Sequence, residues 1–109
     1  MANVYRNAKV DFTNTDNTTV YTVPSNSRAI LKNILVSDDS GSGDSINVTL
    51  TDASAAVFSL FKTKTIGSNA TTELITQPII LQESEILKAQ ATTAGRLHIV
   101  VSLLEINRD

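Results

Sequence analysis

Apolar and polar residues alternate along most of this chain, and the alternation is clearest in Ile46-Asn47-Val48-Thr49-Leu50-Thr51. Side chains two apart on an extended backbone project to the same side, so Ile46, Val48 and Leu50 share one face and Asn47, Thr49 and Thr51 the other. This spacing predicts a half-buried strand. Upstream, Ser27 to Ser37 places Ile30, Ile34 and Val36 on one side and Ala29, Leu31 and Leu35 on the other, a strand apolar on both faces. Asp38 to Asp44 lies between them, a run of Asp, Ser and Gly that suits a hairpin loop.

Further strands are predicted at Val57 to Lys62, Thr71 to Thr76, Ile79 to Leu81 behind Pro78, and Glu85 to Ala91. After the turn Thr92-Thr93-Ala94-Gly95, Arg96 to Ile106 reads as the longest strand. At the start of the chain, Lys9 to Thr13 and Thr18 to Val23 form an opening pair around Asn14-Thr15-Asp16-Asn17. About eight strands at turn-separated intervals predict an all-β fold, an antiparallel β-sandwich of jelly-roll-like form. Two windows, Ala53 to Phe61 and Ser84 to Ala94, could hold a helical turn, but their Ser, Thr and β-branched residues and missing stop signals argue against it. The 109 residues leave room for one domain. Residues 1–109 therefore read as a single sandwich, with 1–8 as an extended N-terminal arm.

Composition narrows the function more than the fold. Apolar residues make up 41% of the chain and charged residues 18%, enough for a packed core and too little charge for a disordered tail. Aromatic residues stand at 5% with no Trp, so a stacking platform for carbohydrate or nucleic acid would have few rings. A net charge of −2 with scattered Lys and Arg gives no footprint for a polyanion, and nucleic acid is not an expected partner. No stretch approaches the ~18 apolar residues of a membrane helix, and the first residues lack the pattern of a signal peptide. A chain made and used without crossing or entering a membrane is expected.

Candidate chemistry is sparse. The absence of cysteine removes disulfides, thiolate metal sites and a Cys nucleophile. His98 is the single histidine, so it would have to be the base of any Ser-His-Asp arrangement. Its position opposite Leu97 and Ile99 reads instead as a surface or interface imidazole. The loop from Asp38 offers oxygens at Asp38, Ser40 and Ser42 with Gly43 sixth, as a calcium loop does. Thr49 stands at the twelfth position where a carboxylate is needed, and strands replace the flanking helices. Glu83 and Glu85 straddle Ser84 and read as part of a turn rather than a glycosidase pair. Three Asn-x-Thr triplets, at Asn17, Asn47 and Asn69, are chance matches in a Thr-rich chain with no secretion signal. No cofactor, metal or enzymatic activity is expected.

The last predicted strand carries the most physical content. Leu97, Ile99, Val101 and Leu103 fill one face, yet Val100, Leu104 and Ile106 make the other face apolar too. A two-layer sandwich has one inside, so the second face needs another cover. That cover is either a segment of the same chain, such as Val4 and Tyr5, or a second molecule.

In order, Tyr21-Thr22-Val23-Pro24-Ser25-Asn26-Ser27-Arg28-Ala29-Ile30-Leu31, Ile34-Leu35-Val36-Ser37, Ile46 to Asp52, Pro78 to Ala91 and Ile99 to Ile106 resemble small virion proteins of tailed bacteriophages. The resemblance spans about Tyr21 to Ile106 and rests on strand and turn patterns. Ser84-Glu85 stands where that family commonly has a Gly-Asp turn. The resemblance implies a structural component of a virion, assembled in the host bacterial cytoplasm. Its members include capsid decoration or cement proteins, whose partner is the major capsid protein, and tail, neck or fibre modules. The first role makes Val4, Tyr5 and Arg6 of the arm and Val100, Leu104 and Ile106 of the last strand the interaction residues. Self-assembly, as a trimer for example, is the expected homo-oligomer. The second role would put recognition in the loops Asp38 to Asp44 and Lys64 to Thr72.

Overall fold

The computed structural model describes residues 2–107, and among them nine strands and no helix form. These are β1 (Ala2–Asp11), β2 (Thr18–Thr22), β3 (Ser27–Asp38), β4 (Asp44–Thr51), β5 (Val57–Ile66), β6 (Thr71–Glu73), β7 (Ile79–Leu81), β8 (Ile86–Ala91) and β9 (Leu97–Asn107). One sheet runs β1-β9-β3-β6, with β7 also paired to β3; the other runs β2-β8-β4-β5. All pairings are antiparallel. The chain changes sheet at almost every connection, and the two four-strand orders are those of a jelly roll.

Two-residue alternation builds the core. Leu97, Ile99, Val101 and Leu103 of β9 face inward beside Ala29, Leu31, Ile34 and Val36 of β3. Ile46 and Val48 of β4 and Leu87 and Ala89 of β8 meet them from the other sheet. Each large aliphatic side chain so buried contributes about 1.5–3 kcal/mol. Phe12 closes one end: its N–H donates to the Leu97 carbonyl, and its own carbonyl accepts from Gly95, which holds φ +78° in the β8–β9 turn.

Three details differ from the sequence reading. The segments before residue 24 form no hairpin: β1 lies in one sheet against β9, and β2 in the other against β8. The stretch 1–8, expected to be an arm, is from Ala2 onward part of β1, because Ala8, Val10 and Phe12 alternate toward the core while β9 offers a long partner. In β3 the ladder to β9 shifts between Leu31 and Asn33, and this bulge moves Ala29 and Leu31 onto the same face as Ile34 and Val36. Ile30 and Leu35 are therefore the residues turned outward. Neither helix window forms a helix: 53–56 turn into β5, and 84–85 turn into β8.

Candidate functional site

Directly paired residues of an antiparallel ladder share a face, so the registers reveal what the outer side of the β1-β9-β3-β7 sheet displays. Tyr5 pairs with Leu104, Leu104 with Ile30, and Ile30 with Ile80. These four side chains form one apolar row across four strands, about 14 Å long at the usual strand spacing. Its ends are open: Tyr5 is 77% exposed and Ile80 53%. Leu104 and Ile30, in the middle, are half-buried by their neighbours. A second row reads Lys9, Val100, Leu35 and Glu73, apolar at the centre and oppositely charged at its ends.

Between the rows the surface dips. Asn7 and Ser102 are small, and the bulge in β3 is satisfied by Asn33, whose side-chain oxygen accepts the Ser102 N–H at 3.1 Å. Tyr5, Asn7, Lys32 and Ser102 line the resulting shallow depression. Ile106 sits in a third row between Asn3 and Arg28. The structure thus brings Tyr5, Val100, Leu104 and Ile106 onto one outer face, and places Val4 and Arg6 on the inner side of β1, opposite Glu105 and Leu103. Leu35, Ile30 and Ile80 complete the face, and the two isoleucines are additions that the sequence pattern does not single out. The triplet Ile79-Ile80-Leu81 held the signal, since an extended triplet cannot bury all three.

The inner side near Arg6 carries a polar tie. Glu105 is buried, accepts the Tyr21 hydroxyl from β2 at 2.5 Å, and lies 3.2 Å from the Arg6 Nε. Burial first, then the hydrogen bond to Glu105 and its negative charge, pushes the Tyr21 phenol above its ordinary range. The tie joins β1, β9 and β2 across the two sheets.

A second cluster organises the loops at one end. The Asp38 carboxylate accepts the Ser40 hydroxyl and N–H and the N–H groups of Gly43 and Asn69. The Ser40 hydroxyl is the strongest influence holding this carboxyl well below the usual range, helped by the three amides and opposed by burial. Gly43 carries φ +72°, and a Cβ there would stand 3.1 Å from the Ile66 carbonyl, so glycine permits the loop to close on the end of β5. The two loops expected to carry recognition in a tail module are therefore joined through Asp38. Its oxygens accept four donors, so this carboxylate is the centre on which the turn is organised.

His98 lies on the outer face between Asp11 and Asp39, with Nε2 at 3.0 Å from one carboxylate and Nδ1 at 3.6 Å from the other. This arrangement ties the ends of β1 and β9 to the loop after β3. Glu83 and Glu85 accept the backbone N–H groups of Asn26 and Gln82 and shape the turn before β8. Among the described residues no group of three or more His or acidic side chains is placed to hold a metal ion.

No family model matches the chain, and no curated protein matches it in sequence. Solved structures do. A chain from the acid-stable capsid structure of Helicobacter pylori bacteriophage KHP30 superposes with a TM-score of 0.60, over 99% of this chain and 95% of that one, at 12% identity. This protein has the fold of a phage capsid chain. Two crystal structures of a pentameric capsid protein from metagenomic phage sequences also align, each at 16% identity and TM-score 0.46, over 94% of this chain and 61% and 60% of those chains. The KHP30 match is nearly end to end in both directions, so that capsid chain is a small protein of about the same length.

Proposed function

We propose that this protein is a virion structural protein that decorates and cements a phage head, binding assembled shell subunits through the outer face of its β1-β9-β3-β7 sheet. The observation that carries the reading is the apolar row Tyr5, Leu104, Ile30 and Ile80, a face the sandwich does not use for its own core. The likeness to a small chain of a phage capsid supports the same reading. Covering four such side chains is worth roughly 6–12 kcal/mol gross, before discounting the two that are already half-buried. Association itself costs about 4–15 kcal/mol. A single module would bind modestly, and firm attachment would come from many copies on one shell. On this reading the protein works by contact and catalyses no reaction.

The test is co-sedimentation with expanded empty capsids assembled from the major capsid protein of the same phage genome. Saturable binding at a fixed ratio to shell subunits is expected, and free protein left in the supernatant would overturn the proposal. A second reading, a tail, neck or fibre module, draws on the loop pair joined by Asp38. Antibody labelling at the tail instead of the head would favour it.

A further inference from the structure

We infer that β1 is a self-complementary edge at which two copies of this chain pair strand to strand, making one sheet continuous across a two-fold axis. The inference goes beyond the proposed shell contact and does not depend on it.

The four sheet margins are not alike. β2 has five residues and a register shift; β5 has two shifts; β6 and β7 have three residues each. Short length and bulges are two of the devices that stop a margin from recruiting another strand. β1 has neither: its ten residues keep one unbroken register with β9 and include no proline.

The direction of its free backbone groups follows from one bond. The Phe12 N–H donates to the Leu97 carbonyl, so by the two-residue alternation of an antiparallel ladder the even residues of β1 point their N–H and C=O groups at β9. The odd residues, Asn3, Tyr5, Asn7 and Lys9, point theirs away from it. A second copy can use these groups only in registers that set odd residues opposite odd residues.

Charge selects among the registers. Centring the two-fold axis on Arg6 stacks two guanidinium groups, and centring it on Lys9 opposes two ammonium groups. Centring it on Tyr5 or Ala8 shortens the overlap. Centring it on Asn7 aligns residues 3–11 of both copies with no like charges opposed. Lys9 then lies across from the exposed Tyr5 ring, in reach of a cation–π contact, and Val4 lies beside Val10 on the inner side. The pairing is isologous and closes as a dimer, which distinguishes it from a trimer.

Sedimentation of the purified full-length chain over a concentration series tests the pairing, and a reversible dimer is the expected result. Asn7→Pro removes an open-edge N–H and leaves the ladder to β9 in place, so it should sediment as a folded monomer with an unchanged circular-dichroism spectrum. Single cysteines fix the register even if that variant fails to fold, because the chain has no cysteine of its own. Paired Asn7 residues would have Cα atoms about 5.5 Å apart, inside the range of a disulfide. Under mild oxidation Asn7→Cys should give a covalent dimer, and Asn3→Cys and Lys9→Cys should stay single chains. A monomer at every concentration would overturn the inference, as would cross-linking at position 3 or 9 in preference to 7.

Discussion

Tyr21 on β2 donates its phenolic proton to Glu105 on β9, so one hydrogen bond from a side chain in one sheet to a buried carboxylate in the other closes the sandwich beside its open β1 margin. Arg6 reaches the same carboxylate from β1. A buried carboxylate on an inward position of a core strand would be destabilising alone; here one hydroxyl and one guanidinium satisfy it. Tyr21→Phe should therefore lower stability by about 1–2 kcal/mol, the worth of a half-buried hydrogen bond to a charged group, and denaturant unfolding measures it.

The same pair sets a pH dependence. The Tyr21 phenol titrates above its unfolded value, so its contribution to stability is complete below about pH 10 and is lost as pH rises beyond it. Unfolding measured between about pH 9 and pH 11 should show wild-type stability falling more steeply than that of Tyr21→Phe.

Asp38 gives the opposite sign. Its carboxyl titrates well below the unfolded value, so its stabilising effect is present above about pH 4 and declines as the solution is made more acid. Asp38→Asn should unfold at lower temperature than wild type at pH 7, and the difference should shrink toward pH 2. Increased amide exchange at Gly43 and Asn69, which donate to this carboxylate, would locate the effect in the joined loops.

Ser84 holds φ +67°, a left-handed conformation that costs a residue with a Cβ about 1–2 kcal/mol. Ser84→Gly should stabilise the protein by about 0.5–1 kcal/mol after the entropy cost of glycine in the unfolded chain. Thermal unfolding checks it. Glycine adopts this backbone conformation without that cost.

The bulge in β3 separates Ile30 from Ile34 in consequence. Ile34→Ala should cost about 2–5 kcal/mol because it empties a core position, whereas Ile30→Ala should cost about 1 kcal/mol or less. Equal losses would mean the two residues share a face, as simple alternation from Ser27 implied.

Those two isoleucines show what the sequence could and could not reveal. Strands β3, β4, β7, β8 and β9 were legible because strict alternation or a bounded apolar run marks them, and the all-β sandwich followed. The inner and outer faces of β3 were not, since a one-residue bulge inverts the pattern beyond it without a clear sequence signal. The opening strand is longer than its sequence pattern suggests because Asn3, Arg6 and Asn7 look like a solvated arm; only the free edge of β9 makes them a strand. The apolar outer face of β9 was legible from Val100, Leu104 and Ile106. Its continuation through Ile30 and Ile80 depends on pairings between residues 74 and 50 positions apart, which no local pattern encodes.

Cryo-electron microscopy of particles that carry this chain tests the proposed shell contact most directly. The account predicts density for the jelly roll on the outside of the head, with Tyr5, Leu104, Ile30 and Ile80 turned toward the shell subunits. Density confined to the tail, or a head-bound module whose β1-β9-β3-β7 face points into solvent, would contradict it.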